Sequence, residues 1–205
     1  LRGVAALFPE PVHVVVRAGA GITSIDGLRG ARVVIGSIES GTRWTAMQVL
    51  RAHGLGHGAY EAVEARSPDA ALQLLVAVRV DAVIEVIAAP WQQLTSMSAD
   101  TPMTLLPLAP DAMQRLGEYV PGLVPLTIVQ PTYAAQDSDV PTLAATALLV
   151  ARNSEPDAAV QQVLSFLFAD GMALERGVSA SKLSRERALL GMTVPLHRGA
   201  ASFFH

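Results

Sequence analysis

The residues best placed to do chemistry lie in the turn GSIESGTR, residues 36–43, between an apolar stretch and an amphipathic one. Ser40 is a typical helix cap, which predicts a helix start whose next amides, at Gly41, Thr42 and Arg43, point outward without partners. Such amides bind carboxylates, aided by the positive end of the helix dipole. Gly41 also allows a ligand to approach the backbone closely. The candidate ligand-binding residues of this turn are Ser37, Glu39, Ser40, Gly41, Thr42 and Arg43.

The sequence of this turn allows two other interpretations. Ser40 could simply cap the helix, with no ligand bound. A phosphate-binding loop is disfavoured because GSIESGT lacks the terminal Lys-Ser/Thr pair of the Walker pattern. Glu39 would repel a carboxylate unless the ligand also carries an ammonium group, so it favours amino acids over simple dicarboxylates. Alternatively, Glu39 is a solvated turn residue that contacts no ligand.

Glu85 is the other unusual acidic residue, because it lies inside the apolar stretch VIEVI. A carboxylate there must reach water, a partner or a ligand, since burying it unpaired costs several kcal/mol. The sequence leaves two alternatives open. Glu85 either faces a ligand cleft or forms a salt bridge with a nearby arginine.

The elements that must position these residues follow from hydrophobic patterning. Apolar runs predict five strands, at residues 12–17, 32–36, 80–88, 103–108 and 142–152. Helices are predicted from residue 41 to near 54, from Pro68 through 78, and after Pro156. This alternation predicts an α/β fold with a mostly parallel sheet covered on both faces. The proline-rich residues 119–133 predict an irregular crossing segment at a lobe boundary.

Composition narrows the class of partner. The 205 residues are 51% hydrophobic and 16% charged, as in a globular protein that buries a core. The net charge of -3, with basic residues spread along the chain, predicts no nucleic-acid or anionic-lipid partner. No apolar run is long enough to cross a bilayer, so no direct membrane insertion is expected. The absence of cysteine fits the cytosol and the periplasm equally well.

Catalytic signatures are missing from the sequence. It contains no nucleophile elbow, no cysteine nucleophile, no H-E-x-x-H zinc motif and no dinucleotide fingerprint after a strand. The histidines are scattered, and His197 in particular has no partner at metal-ligand spacing, so a structural role is expected for it. We therefore expect a non-enzymatic protein with no cofactor and no metal.

Five blocks of the sequence resemble a known family in order and spacing. They read LFPEPVHVVVR, IDGLRGARVVIGSIESGT, VDAVIEVIAAP, TYAAQDSDVPTLAATALLVAR and PLHRGAASFF. Together they are similar to the TAXI solute receptors, the extracytoplasmic binding components of a class of TRAP transporters. The resemblance implies a periplasmic or otherwise extracytoplasmic protein with the two-lobed, type II periplasmic-binding-protein fold. It would close on a small carboxylate, such as glutamate or a related amino acid or organic acid, and deliver it to membrane permease subunits.

The resemblance also predicts how the chain is organised. Residues 1–25 would form part of lobe 1 and the hinge, residues 26–124 lobe 2, and residues 125–205 the hinge crossing and the return to lobe 1. The first lobe would be incomplete at its N-terminus, because family members carry a further segment before the LFPEP block. Tyr133 would lie near the cleft, where its hydroxyl either binds the ligand or supports the hinge. The alternative function is a ligand-sensing domain of a larger signalling or regulatory protein.

Overall fold

The computed structural model describes residues 1–134, 136–169, 183 and 185–205. The strands are β1 (Arg2–Arg17), β2 (Arg32–Val34), β3 (Glu61–Val63), β4 (Ala82–Val86), β5 (Met103–Leu105), β6 (Val124–Ile128) and β7 (Val140–Ala151). The helices are α1 (Gly41–Ala52), α2 (Pro68–Val76), α3 (Gln92–Ser98), α4 (Pro110–Tyr119), α5 (Asp157–Leu167) and α6 (Arg198–Phe204), with short 3-10 turns at Asp26–Leu28 and Arg185–Arg187. The predicted α/β class is confirmed. Residues 135, 170–182 and 184 of the predicted segment 125–205 lie outside the described residues.

All the strands named above belong to one sheet, in the order β3-β2-β4-β1-β7-β6, with β5 also paired to β1. Among the described strands, β2 pairs in parallel with β3 and β4, while the β1–β4, β1–β5, β1–β7 and β6–β7 pairs are antiparallel. The predicted mostly parallel sheet is therefore wrong. Alternating strands and helices describe the β2-α1-β3-α2-β4 unit correctly, but they do not determine the direction of the long strands that flank it.

Strand β1 changes its pairing near Pro11. Residues 12–16 pair with β4, whereas residues 2–11 pair with β7. Val12, Val14 and Val16 face one core under α1 and α4, and Val15 faces another under α2 and α3. A strand buried on both faces reads as a continuous apolar run, which is why VHVVV predicted an interior strand.

A separate core covers the first half of β1. It is formed by α5 and α6 against that half-strand, and its buried residues are Val4, Ala5, Val160, Leu164 and Ala200. The chain thus packs as two bodies that share the long strands β1 and β7, and the predicted lobe boundaries stay a prediction. Across the described residues, no helix combines the length and the apolar character needed to cross a bilayer.

The segment predicted to be irregular, residues 119–133, contains a regular element. Strand β6 lies at the edge of the sheet, where Pro125 is opposite Leu143 of β7. Proline is tolerated on an edge strand because the hydrogen bond that it cannot donate would point away from the sheet. The prediction of an irregular segment is therefore wrong for Val124–Ile128.

Candidate functional site

The turn that leads into α1 has the predicted capping geometry. The Ser40 hydroxyl accepts a hydrogen bond from the Arg43 amide (N to Oγ 3.0 Å) and donates one to the Ser37 carbonyl (2.8 Å). The expectation that three amides are unpaired is therefore wrong for Arg43, because the cap satisfies its amide. The amides of Gly41 and Thr42 have no acceptor within the described part of the chain. These two donors remain available at the mouth of the helix.

Gly36 allows this turn to fold tightly onto the helix start. Its φ is +84°, and a Cβ placed on it would lie 2.8 Å from Ser40 Oγ, 2.9 Å from Thr42 Cγ2 and 3.0 Å from the Arg43 nitrogen. No side chain fits such a space. Strand β2 pairs with β4 as far as Val34 and Val83, and Gly36 follows two residues later. The missing side chain therefore lets the turn close against the start of α1.

Glu85 is buried on β4, with only 5% of the residue exposed. Burial raises the pKa of its carboxyl to about 7, and the Thr42 side chain has a smaller effect in the opposite direction. Within the part of the chain that the structure describes, no basic side chain lies within ion-pair distance of Glu85. The salt bridge, one of the two alternatives from the sequence, is therefore not formed with any of the described arginines.

The remaining turn candidates lie around this mouth. Ser37 and Glu39 are exposed, and Glu39 adopts a left-handed backbone conformation (φ 68°) that residues other than glycine seldom take. The Arg43 guanidinium contacts the Glu64 carboxylate at 3.3 Å and the Gly36 carbonyl at 3.4 Å. That contact turns the positive charge of Arg43 towards Glu64.

Tyr133 is buried behind the site and is bonded internally. Its hydroxyl lies 2.7 Å from His13 Nε2 and accepts a hydrogen bond from the Trp91 amide at 2.8 Å. Burial raises the pKa of the Tyr133 hydroxyl to about 12. His13, which the sequence did not single out, is directly opposite Glu85 in the β1–β4 register. A histidine within the valine run of VHVVV was the signal that could have identified it.

His197 lies in the other body, where it caps α6. It is buried, and its Nδ1 accepts a hydrogen bond from the Gly199 amide at 3.1 Å. The structural role expected for this residue is confirmed.

A groove of about 580 Å³ lies along the first half of β1 and β6. Its lining is chiefly apolar and includes Pro9, Pro11, Pro90, Leu126 and Thr146. None of the candidate residues predicted from the sequence is among its lining residues. The groove and the helix mouth are therefore separate places.

The arrangement at the mouth suits binding rather than bond breaking. Two outward amides and the positive end of the helix dipole would both favour an anion at this position. Amides at a helix start stabilise an anion without taking part in proton transfer. The geometry can hold a small negatively charged molecule at the surface of the β2–α1 turn.

Comparison with known proteins gives one family and several related folds. A family model described as the NMT1-like family matches residues 1–205. The periplasmic aliphatic sulphonate binding protein SsuA from Escherichia coli is 16% identical, with a TM-score of 0.45 over 70% of this chain and 40% of that one. An ancestral arginine-binding protein bound to arginine is 16% identical, with a TM-score of 0.45 over 83% and 58%.

The alkanesulfonate-binding protein SsuA from Xanthomonas axonopodis pv. citri, bound to MOPS, is 24% identical. Its TM-score is 0.41, over 53% of this chain and 35% of that one. The chain therefore spans less than two thirds of the length of each of these solved proteins.

Proposed function

The chain belongs to the NMT1-like family, and we propose that it is the extracytoplasmic solute-binding receptor of a TRAP-type transporter of the TAXI class. The five sequence blocks in TAXI order support this assignment. In this role the protein captures a small carboxylate, such as glutamate or a related amino acid or organic acid. It then delivers the ligand to membrane permease subunits, and it catalyses no reaction.

The helix mouth carries the proposal. The amides of Gly41 and Thr42 have no acceptor among the described residues and lie at the positive end of a helix of 12 residues. A ligand carboxylate satisfies both donors at once and is stabilised by the helix dipole. Ser40 holds the mouth in shape through its bonds to Arg43 and Ser37. Ser37, Glu39 and Arg43 border the ligand in this proposal.

Capture uses the two bodies that share β1 and β7. In this proposal residues 26–124 form one lobe, and residues 1–25 and 125–205 provide the hinge and the other lobe. The hinge bends at two places. One is in β1, near the point where its partner strand changes from β7 to β4, and the other is in residues 124–133. A ligand that contacts both lobes shifts the population towards the closed form, which then docks on the permease.

Tyr133 supports the hinge in this scheme. Its hydroxyl connects β1, through His13, to the start of α3, through the Trp91 amide. Closure that moves residues 124–133 would move this connection with them. A direct contact between Tyr133 and the ligand stays a prediction.

Calorimetry with a panel of glutamate, glutamine and dicarboxylates tests the function. We expect at least one small carboxylate to bind the intact protein. If no small carboxylate in the panel binds, the receptor assignment is wrong. We also expect the ligand-bound protein to associate with permease subunits in detergent. Ligand binding without association with these subunits would favour the sensor-domain alternative.

Variants at Thr42 test the site separately. Thr42→Pro removes one of the two outward donors, and proline is tolerated in the first turn of a helix. Thr42→Ala keeps the amide and removes only the hydroxyl. Asp69→Pro places proline at the same position of α2 and controls for the backbone effect. We expect Thr42→Pro to weaken carboxylate binding about tenfold or more, a loss of roughly 1.4 kcal/mol, while Asp69→Pro leaves it unchanged.

A further inference from the structure

We propose that the outer edge of β7 from Thr146 to Ala151, here called the open edge, joins a second copy of this chain by antiparallel strand pairing. On its inner side this part of β7 pairs with the first half of β1, which α5 and α6 cover. The surface is an interaction surface between copies, and its use is independent of which ligand binds at the helix mouth.

The direction of the β7 backbone follows from the bonds that β1 makes on its other side. Ala6, opposite Leu148, donates its amide to the Ala188 carbonyl at 2.7 Å. Gly3, opposite Val150, likewise donates its amide to a carbonyl on the side away from β7, at 2.9 Å. The two residues of an antiparallel pair either bond to each other or both point away. The N–H and C=O groups of Leu148 and Val150 therefore point away from β1.

Strand β6 covers only the first part of this outer side of β7. Its ladder ends where Val124 is opposite Ala144. Pro121 and Gly122 form the turn that precedes β6, and Gly122 has a φ of +89°. A turn at this point ends the strand. Beyond Ala144, the described residues give β7 no partner strand on its outer side.

The open edge leaves backbone groups without partners. Outward groups recur at every second residue of a regular strand, so Thr146 points the same way as Leu148 and Val150. Within the part of the chain that the structure describes, the amides and carbonyls of these residues have no hydrogen-bond partner on that side. A row of unpaired amides and carbonyls at a sheet edge is a template for an added strand.

The side chains of the open edge do not discourage such pairing. Protein edges are commonly protected by lysine, proline or a bulge. Residues 146–151 read TALLVA, with no charged residue and no proline. The irregularities of the β1–β7 ladder add residues to β1, so β7 itself stays regular. Val150 is 40% exposed. The open edge is therefore regular, uncharged and partly apolar.

A second copy fits this edge because the edge is complementary to itself. Two copies related by a two-fold axis present the same strand to each other in antiparallel directions. With the axis at Leu149, Leu148 of each copy is opposite Val150 of the other, so outward groups meet outward groups. Each such pair exchanges two N–H···O bonds. No charge on either edge opposes the approach, and the exposed Val150 becomes covered in both copies.

The experiment begins with sedimentation velocity on the intact protein over about 1–100 µM. We expect a reversible equilibrium between monomer and dimer. Amide hydrogen exchange at the two ends of this range locates the contact. We expect the amides of Leu148 and Val150 to exchange at least about tenfold more slowly at the high concentration. The Leu149 amide points towards β1 and should show no such dependence.

Variants at Val150 test the edge directly. Val150→Pro removes an outward N–H and leaves the ladder with β1 intact, while Val150→Lys adds a charge to the edge. Val163→Lys is the matched control, because Val163 is 46% exposed on α5. We expect each Val150 variant to raise the dimer dissociation constant at least about tenfold, and Val163→Lys to change it less than about threefold.

Urea unfolding of the dilute variants checks that they fold, and the exchange measurement on the unmodified protein needs no variant. Three results would overturn the proposal. They are a protein that stays monomeric over the whole range with fast exchange at Leu148 and Val150, a dimer that neither Val150 variant weakens, and a monomer in which both amides exchange slowly at every concentration. The last result would mean that the same chain covers its own edge. Carboxylate binding is measured separately, so its failure leaves this test unchanged.

Discussion

The side chains of His13 and Tyr133, 120 residues apart in sequence, are joined by a hydrogen bond of 2.7 Å in the protein interior. The Pro11 carbonyl, 3.0 Å from His13 Nδ1, can only accept, so the ring hydrogen is on Nδ1 and Nε2 is the acceptor. The Tyr133 hydroxyl therefore donates to His13 and accepts from the Trp91 amide. This chain of bonds connects β1, the segment before α3 and the loop after β6.

Tyr133→Phe should destabilise the protein. The change leaves the His13 Nε2 acceptor and the Trp91 amide buried without their partner, which costs about 1–3 kcal/mol per group. We expect a fall of about 2 kcal/mol or more in the free energy of unfolding, measured by urea titration. Tyr119→Phe is the matched control because Tyr119 is 78% exposed. Equal midpoints for the two variants would show that the network contributes little.

The pH dependence of stability should contain two opposing contributions at the sheet centre. Burial lowers the pKa of His13 to about 4, so the unfolded chain binds this proton first and stability falls as the pH drops from 6.5 towards 4. Burial raises the pKa of Glu85 to about 7, so stability falls as the pH rises from 4.5 through 7. Between pH 4.5 and 6.5 the two slopes oppose each other.

Glu85→Gln should therefore expose the His13 contribution. In this variant we expect the free energy of unfolding to rise by about 3 kcal/mol from pH 4 to 6.5, and to stay level from there to pH 8. Urea unfolding at five pH values measures it, with the exposed Glu155→Gln as control. A profile parallel to that of the original protein would mean that Glu85 is not destabilised by burial.

Gly36→Ala should disrupt the helix mouth. The new Cβ would meet Ser40 Oγ at 2.8 Å, and the backbone would have to keep a φ of +84°, which alanine disfavours by about 1–2 kcal/mol. We expect a loss of at least about 2 kcal/mol in unfolding free energy and a weaker affinity for carboxylates. Gly56→Ala is the control, since nothing lies within 4 Å of its added Cβ and its φ is not positive. Similar stabilities for the two variants would contradict the tight turn.

The features that the sequence predicted well are those encoded by neighbouring residues. The Ser40 cap, the helix start at Pro68 and the strand around Val14 all follow from side chains within one turn or strand of each other. Glu85 was also recognisable, because a charge within an apolar strand requires a partner. The lack of an arginine partner among the described residues could not be predicted, because pairing depends on which distant segments of the sequence surround β4.

The features that were mispredicted depend on long-range pairing. The first strand was predicted over residues 12–17, yet β1 begins at Arg2 and continues through Pro9 and Pro11, which it pairs with Thr146 and Ala144 of β7. Pro125 likewise lies within β6, because that strand is at the sheet edge. Strand direction and the His13–Tyr133 hydrogen bond also depend on residues far apart in the sequence. No local pattern determines which residues more than 100 positions away complete a sheet or a network.

The most direct test of the central claim is the amide NMR spectrum of the intact protein during titration with the carboxylate that calorimetry finds to bind. We predict that the Gly41 and Thr42 amides shift downfield as they donate to the ligand, and that Asp69 and Ala70, at the start of α2, do not move. Unchanged Gly41 and Thr42 signals, with shifts instead around the groove beside Pro9 and Leu126, would contradict a ligand site at this helix mouth.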